Sequence, residues 1–444
     1  MQRGTSAAAP ATLRSSILAL HRSAGNRAVT ALLQRKVGWS DASQQGNAWN
    51  ADERRVGKVR RIPLEGLAEG LDAKVKRPTG RKIAGLSSEG ATGKAIVLVP
   101  AALDATASIE VIVFLHGFTE GLHRPYAGWR ELVDPKPPTA GQGKVLEERL
   151  PRLRQGVDAK DTAPVRDVAL DQVEQQLEES GHTQLVIVLP QGGLKSQFSK
   201  DGTANFDAGR YVTEIVTRLG TEKRWWGRAG KPIEASPSVR RVTMAGHSGA
   251  GAALSNMTNE AVRAKRGVKP GKGSSALTGD LVIYDAINGS QLDRFIEWTT
   301  MLLDDEFAKL TDDGVTDEAK LFHLQVAPKL RGFTTDAYID AYIALDDAIN
   351  RWFASHSAKL GAWAGCLRAN FALDFVDVSH EELMRGSLAG RPRAAGTGTI
   401  LQAIQHLHPA RFLSNKACPS MPKPLKVRYD EIKKRGKATA RAGR

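Results

Sequence analysis

The chain has 444 residues, 41% of them hydrophobic, which is enough to bury a large core. Its formal net charge of +15 lies at the two ends: residues 1–94 carry +10 and residues 416–444 carry +8, whereas the residues between them carry −3. This distribution argues against a phosphate-binding surface on the central part, and the longest apolar runs are of strand length, which argues against a membrane-spanning helix.

Residues 1–36 contain a helical pattern. Their apolar residues recur at helical spacing and are interrupted at Gly25-Asn26, which predicts two short helices around a turn. The stretch Leu20–Val29, followed by Leu32–Arg35, resembles a segment found near the N-termini of actinobacterial proteins associated with extracellular contractile injection systems, although His21 replaces the usual Gln. The resemblance implies a loading signal for such a particle. A helical hairpin without that role is the alternative.

Two features bear on the cellular compartment. The apolar run Ile17–Leu20 is ended by His21 and Arg22, so no signal peptide is predicted. Only Cys366 and Cys418 occur, which excludes a disulfide framework and a four-cysteine zinc site. We expect a cytoplasmic protein, delivered outside the cell only if an injection particle carries it. We also expect two reduced thiols, with a single bridge as the alternative.

The chain between residues 37 and 415 predicts an α/β protein. Residues 37–93 are interpreted as a linker and an N-terminal extension of a sheet, in which Arg60–Leu64 is a candidate edge strand that tolerates Pro63. In the main domain, residues 94–415, strand-length apolar runs alternate with helical stretches. These runs are Ala95–Pro100, Ile109–Leu115, Gln184–Pro190, Arg241–Ala245, Asp280–Tyr284, Leu321–Ala327 and Asn370–Val378. Strands separated by helices indicate a mostly parallel central sheet with helices on both faces.

Three further segments are interpreted by their length and charge. Residues 121–163 and 290–320 exceed ordinary connections and are predicted to form cap-like insertions. Their charged composition, for example Asp304-Asp305-Glu306, favours a wet cap over an apolar lid. The basic tail, residues 416–444, is predicted to be disordered and could bind an anionic surface weakly.

The strongest local signal lies between the run Arg241–Ala245 and a helical stretch, and reads Gly246-His247-Ser248-Gly249-Ala250. A serine at a sharp strand-to-helix turn is a nucleophile elbow, in which only small residues fit two positions before and two positions after the serine. Gly246 and Ala250 meet that demand, although Ala250 replaces the usual Gly. Ser248 is therefore the candidate nucleophile.

A serine hydroxyl attacks a carbonyl only when a histidine accepts its proton and a carboxylate orients that histidine. His380 follows the last predicted strand and is the candidate base, whereas His406 and His408 end a helical stretch and are interpreted as surface residues. Asp285 directly follows the strand Asp280–Tyr284 and is the candidate acid. Asp336, after the next predicted strand, is the alternative acid. Thr334-Thr335 resemble a helix N-cap, so Asp336 is otherwise interpreted as a first-turn carboxylate favoured by the helix dipole.

Negative charge on the reacting oxygen calls for two backbone N–H donors. We predict one donor at Gly249 and the other at Phe118, in the loop His116-Gly117-Phe118 that closes the strand Ile109–Leu115. The order of strand, oxyanion loop, elbow, acid and histidine between residues 111 and 380 resembles the α/β-hydrolase fold of carboxylesterase- and lipase-like enzymes.

This resemblance implies a serine hydrolase that cleaves carboxylic esters, on a small molecule or a lipid, through an acyl-enzyme and without a metal or cofactor. The charged cap favours smaller or polar esters. Two alternatives stay open: a peptidase or amidase using the same residues, and a cargo or accessory protein of an injection particle, delivered as an effector or toxin or retained as a binding module.

Overall fold

A central sheet organises the molecule. The computed structural model describes residues 54–56, 59–64, 67, 95–117, 173–190, 198, 204–227, 231–269, 271, 274–380, 383–384, 398–407 and 418–442. Within these ranges nine strands form one sheet and two short strands form a separate pair. The strands in chain order are β1 (Arg54–Val56), β2 (Val59–Leu64), β3 (Ala95–Pro100), β4 (Ile109–Leu115), β5 (Leu185–Pro190), β6 (Trp225–Trp226), β7 (Pro232–Ile233), β8 (Val239–His247), β9 (Asp280–Tyr284), β10 (Leu330–Thr334) and β11 (Phe371–Phe375).

The strand order across the sheet is β1-β2-β3-β5-β4-β8-β9-β10-β11. The pairs β1–β2, β2–β3 and β3–β5 are antiparallel, whereas every pair from β5 to β11 is parallel. The parallel strands are apolar on both faces: in β4, Val111 and Val113 belong to one buried cluster and Ile112 and Phe114 to the other. Such strands need helices on both sides, because neither face tolerates water.

The helices supply that cover. They are α1 (Ala208–Thr221), α2 (Gly251–Lys265), α3 (Leu292–Leu310), α4 (Asp317–Val326), α5 (Ile339–Leu360), α6 (Trp363–Ala369), α7 (Thr399–Leu407) and α8 (Leu425–Ala442), and residues 173–180 are also helical. The larger cluster packs α1, α2, α3, α5 and α6 on one face of the sheet. Residues 173–180 and α7 cover the other face. None of the helices within the described ranges is long and apolar enough to cross a membrane.

The predicted strand Leu321–Ala327 is wrong, because this stretch lies in α4. The side chain of Thr316 accepts a hydrogen bond from the Ala319 N–H and caps the helix, and Asp317 and Glu318 follow in its first turn, where the helix dipole favours acidic residues. The next strand of the sheet is instead β10, which begins at Leu330, three residues after Ala327.

The predicted cap between residues 290 and 320 is also wrong. These residues form α3 and the start of α4, and α3 packs against α2 and α5 as part of the helical layer on the sheet. Its Phe295 and Trp298 are fully buried, and each contributes about 1.5–3 kcal/mol or more through burial of apolar surface. The other predicted insertion, residues 121–163, lies outside the described residues, as do residues 1–36 and Phe118.

The C-terminal tail is ordered rather than disordered, because it forms α8 and packs beside the edge strand β11. Cys366 in α6 and Cys418 form a disulfide with their Cα atoms 4.8 Å apart, so the expectation of two reduced thiols is wrong. Arg428 of α8 donates to the Leu373 carbonyl of β11 at 2.7 Å and forms an ion pair with Asp374. The predicted strand Arg60–Leu64 is confirmed as β2, but β1 lies outside it and takes the edge position.

Candidate active site

The motif around Ser248 forms a sharp turn between a strand and a helix. β8 ends at His247, Ser248–Ala250 form a single 3₁₀ turn, and α2 begins at Gly251. Ser248 has a φ of +54°, a left-handed conformation that costs free energy for a residue with a side chain. The serine is held in this conformation by the strand and helix on either side, as a nucleophile elbow requires.

Packing across the turn explains why Ala250 is tolerated. A Cβ atom added at Gly246 would lie 2.8 Å from the Ala250 Cβ and 2.9 Å from the Leu254 Cδ1. The strand and the helix therefore approach so closely that only one of the two positions can carry a methyl group. Gly246 leaves the space that Ala250 occupies.

The candidate acid lies at the same edge of the sheet. His247, the last residue of β8, is aligned with Tyr284, the last residue of β9. Ser248 and Asp285 therefore directly follow the ends of two adjacent parallel strands. Asp285 is fully buried and has a φ of +46°. Its carboxylate accepts hydrogen bonds from the Thr335 N–H at 2.8 Å and from the Thr335 hydroxyl at 2.6 Å. These two donors fix the orientation of the buried carboxylate.

His380 meets this carboxylate. Its Nδ1 lies 2.9 Å from the Asp285 Oδ2, and its side chain is 21% exposed. Because an ionised carboxylate only accepts hydrogen bonds, Nδ1 is the donor. In the neutral ring Nε2 then carries the lone pair and can accept a proton. The structure thus brings together Asp285 and His380 across 95 residues of chain.

Two aromatic rings hold His380 beside the elbow. The His247 ring stacks on the His380 ring with 4.5 Å between centroids, and the Tyr338 ring stacks on it at 5.0 Å. The His247 Nε2 also donates to the His380 carbonyl at 3.2 Å. His380 is therefore fixed by ring contacts and a main-chain hydrogen bond as well as by Asp285, next to the residue that precedes Ser248.

The loop after β4 lies against the elbow. A Cβ at Gly117 would lie 2.8 Å from the His247 Nδ1 and 3.0 Å from the Ser248 Cβ, so the backbone of this loop approaches the serine closely. His116 is buried, donates from Nδ1 to the Gly117 carbonyl at 2.6 Å and packs against Phe198. Gly249, the predicted second donor, lies in the 3₁₀ turn immediately after Ser248.

The remaining candidates lie elsewhere. The Asp336 carboxylate is 56% exposed and forms an ion pair with Lys433 at 2.6 Å. His406 is half-buried rather than on the surface, and burial, reinforced by Arg331 and Lys329, lowers its pKa to about 3. His408 lies outside the described residues. No group of three His, Cys, Asp or Glu side chains in the described ranges could hold a metal ion.

Several side chains of this site are missing from the sequence-based prediction. Thr335, the double donor to Asp285, is interpreted there as part of a helix N-cap, and Tyr338 carries no signal at all. Tyr342 accepts a hydrogen bond from the Ala286 N–H at 3.1 Å and supports the loop of the acid. Burial, together with the charge of Asp285, raises the pKa of the Tyr342 hydroxyl well above its ordinary value. A polar residue directly after a buried strand, as Thr335 is, is the one signal that could have indicated its role.

No protein-family model and no curated protein matches this sequence. Solved structures that resemble it include esterase B from Lactobacillus rhamnosis, with 10% identity over 87% of this chain and 97% of the esterase and a TM-score of 0.31. A siderophore hydrolase from Aspergillus nidulans has 9% identity over 81% of this chain and 98% of its own, with a TM-score of 0.29. A feruloyl esterase module from Clostridium thermocellum has 11% identity over 76% and 95%, with a TM-score of 0.28.

Identities and TM-scores this low do not establish an activity for this protein. The fold itself rests on the order of the strands, the parallel pairing from β5 to β11 and the strand–turn–helix at Ser248. These features are those of an α/β-hydrolase fold.

Proposed function

We propose that the protein is a serine hydrolase that cleaves carboxylic esters through an acyl-enzyme intermediate. The observation that carries the proposal is the hydrogen bond between Asp285 and His380 beside a serine held at positive φ. A buried carboxylate that orients a partly exposed histidine, next to a strained serine, is the arrangement that activates a hydroxyl for attack on a carbonyl.

Each residue has one role in this reaction. The Ser248 Oγ attacks the ester carbonyl carbon while His380 Nε2 takes the hydroxyl proton, and Asp285 stabilises the imidazolium that forms. The tetrahedral intermediate then collapses, and His380 returns the proton to the departing alkoxide, which leaves as the alcohol. Water, deprotonated by His380, hydrolyses the acyl-enzyme and releases the acid and free Ser248.

The oxyanion of each tetrahedral intermediate needs backbone N–H donors. Gly249 is our candidate for one donor, because it follows the nucleophile at the start of a helix, where N–H groups lack intrahelical partners. Phe118 is our candidate for the other, and the close approach of Gly117 to Ser248 supports it. A substitution that removes either main-chain donor by changing the loop should lower kcat more than it changes KM.

A fluorophosphonate probe tests the nucleophile, because it forms a covalent bond with an activated serine. We expect labelling of the native protein, with the modified peptide containing Ser248, and no labelling of Ser248→Ala. Ser255→Ala is a matched control, since Ser255 is a buried serine in α2 whose hydroxyl donates to the Ala252 carbonyl. Labelling that persists in Ser248→Ala would reject Ser248 as the nucleophile.

A substrate panel tests the reaction class. We expect hydrolysis of p-nitrophenyl esters with short acyl chains, lost in Ser248→Ala and in His380→Ala. Peptide and anilide substrates with the same acyl groups separate an esterase from a peptidase or amidase. Faster cleavage of the amides than of the esters would contradict ester hydrolysis as the main activity.

A further inference from the structure

We propose that Lys433 is a positioning residue of the candidate active site, joining the segment that carries Thr335 to the segment that carries His380. This inference rests on the proposed function, because it concerns how that same site is held. Lys433 belongs to the C-terminal helix α8, and its hydrogen-bond partners Asp336 and Asp377 are not members of the catalytic set.

The contacts of Lys433 lie just beyond the ends of two adjacent strands. Its Nζ donates to the Asp336 Oδ2 at 2.6 Å and to the Asp377 Oδ1 at 2.9 Å. Asp336 directly follows Thr335, and Asp377 precedes His380 by three residues. The ammonium group therefore connects one segment that orients the acid with another that presents the base.

This connection continues where the sheet ends. The ladder between β10 and β11 finishes at the pair Thr334↔Phe375, followed by one hydrogen bond from the Val376 N–H to the Thr334 carbonyl at 2.8 Å. Beyond that point the two segments diverge, one into α5 and the other towards His380. Lys433 bridges them at this divergence.

The charges make the bridge more than an isolated surface pair. Exposed ion pairs contribute little because water screens them. Here one ammonium serves two carboxylates, lies 5.0 Å from the centre of the Phe375 ring, and is only 30% exposed. Partial burial works against the charge, but the hydrogen bonds to Asp336 and Asp377 outweigh it and raise the pKa of Lys433. Without the ammonium, two neighbouring carboxylates would repel each other and separate the segments.

The helix that carries Lys433 is itself fixed. The disulfide between Cys366 and Cys418 anchors the chain just before α8, and the Leu425 N–H donates to the Asp346 Oδ2 at 2.7 Å. Arg428 binds the edge strand, including the Leu373 carbonyl at 2.7 Å. Lys433 therefore reaches the two segments from a rigid support, and can hold them rather than follow them.

The test measures fluorophosphonate labelling of the full-length protein as a function of probe concentration, which separates the maximal rate of labelling from the apparent affinity for the probe. Lys433→Met keeps the stem and removes the charge. We expect its maximal rate to fall about tenfold with unchanged probe affinity, because displacement of a catalytic group by about 1 Å can cost up to a hundredfold. Lys433→Arg keeps the charge and should retain most of the wild-type rate.

Two controls separate positioning from a general effect on folding. Lys426→Met removes a lysine that pairs with Asp430 on the same helix at 3.7 Å, and its labelling rate should equal that of the wild type. Asp377→Asn should slow labelling, and Lys433→Met with Asp377→Asn should be no slower than Lys433→Met alone, because both changes break one bridge.

Wild-type labelling of Ser248 together with an unchanged maximal rate in Lys433→Met would overturn the positioning role and leave the proposed function intact. Additive losses in the double variant would overturn it as well. A wild-type protein that the probe does not label at Ser248 would reject the proposed function, and the positioning role with it.

Discussion

Strand β9 carries a buried aspartate at each end, and the two have different surroundings. Asp280 begins the strand and Asp285 directly follows it, and both carboxylates are fully buried with several hydrogen-bond donors. Asp280 accepts from the Arg241 guanidinium, from the Thr243 hydroxyl at 3.1 Å and from the Lys329 N–H at 2.9 Å. Asp285 accepts from Thr335 and from His380.

The chemical difference lies in the cationic partner and in the backbone. Asp280 pairs with a guanidinium, a group that serves as a hydrogen-bond donor and not as a base. Asp285 pairs with an imidazole, the side chain that most often serves as a general base, and this imidazole is partly exposed and meets an aspartate held at positive φ. Burial of a carboxylate therefore does not identify a reactive site by itself. The features that set Asp285 apart are its histidine partner and its positive φ.

The largest expected effect is on activity, and it distinguishes Asp285 from the alternative acid Asp336. Asp285→Asn keeps the volume of the side chain but removes the negative charge that orients His380, so we expect kcat for p-nitrophenyl ester hydrolysis to fall about 10⁴-fold. Asp336→Asn, at the alternative acid, should cost at most about tenfold, because we propose that Asp336 acts by positioning, through its ion pair with Lys433. Equal losses in the two variants would contradict the assignment of Asp285.

The second-largest expected effect is on the free energy of unfolding, and it concerns Asp280 at the start of β9. Asp280→Ala leaves the part-buried Arg241 without its fully buried carboxylate, and breaking such an ion pair costs up to about 3–5 kcal/mol of the free energy of unfolding. Urea denaturation measures that loss. We expect kcat per folded molecule to stay at the wild-type value, and a large fall in kcat would show that the two ends are coupled.

Lys329, whose N–H donates to Asp280, predicts a pH dependence of the free energy of unfolding. Burial, reinforced by Arg241 and opposed by Asp280, lowers the pKa of Lys329 from 10.5 to about 8. Between these values the unfolded chain binds a proton that the folded protein has released, so the free energy of unfolding should rise with pH across this window. The rise should be on the order of 3 kcal/mol.

Urea denaturation at several pH values tests this dependence by comparing the wild type with Lys329→Met. The rise in stability should disappear in Lys329→Met and persist in Lys265→Met, where the lysine is exposed and pairs with Asp305. Parallel pH profiles for the wild type and Lys329→Met would refute the lowered pKa.

The smallest expected effect concerns the donors to Asp285. Thr335→Val removes the hydroxyl donor and leaves the main-chain N–H in place, so the carboxylate loses one of its two fixed hydrogen bonds with Thr335. A hydrogen bond to a charged group contributes about 1.5–3 kcal/mol, and we expect kcat to fall about tenfold. Thr334→Val, whose hydroxyl donates to the Thr335 carbonyl at 3.2 Å, is the neighbouring control and should lose less. A larger loss in Thr334→Val would place the important donor elsewhere.

The apolar strands could be predicted because a strand buried on both faces needs a nearly continuous run of apolar residues. β3, β4, β5, β9 and β11 each fall within a predicted run, and β8 contains the predicted run Arg241–Ala245. The sequence does not predict β10, because Arg331 and Gly332 interrupt its apolar residues. Arg331 is compatible with a buried strand because Asp374 of β11 pairs with it. The sequence instead predicts a strand at Leu321–Ala327, because short apolar runs do not distinguish a strand from a helix.

The supporting side chains of the site and the folded tail could not be predicted, because they depend on contacts between residues far apart in the chain. The candidates Ser248, Asp285 and His380 follow from their places after strands. Thr335, Tyr338 and Lys433 do not, since their roles depend on which loops meet. The tail has 10 basic residues and 2 acidic ones, a composition typical of disorder. It folds because Asp336, Asp374 and Asp377 supply the missing acidic partners from another part of the chain.

The position of α8 beside β11 has a consequence for how the protein behaves in solution. An edge strand presents unpaired main-chain groups that can pair with a strand of another molecule. Arg428 occupies the Leu373 carbonyl of this edge, and α8 packs along the strand. We therefore expect the C-terminal helix to shield this edge from strands of other molecules, and removal of residues 418–444 to make the protein more prone to aggregate.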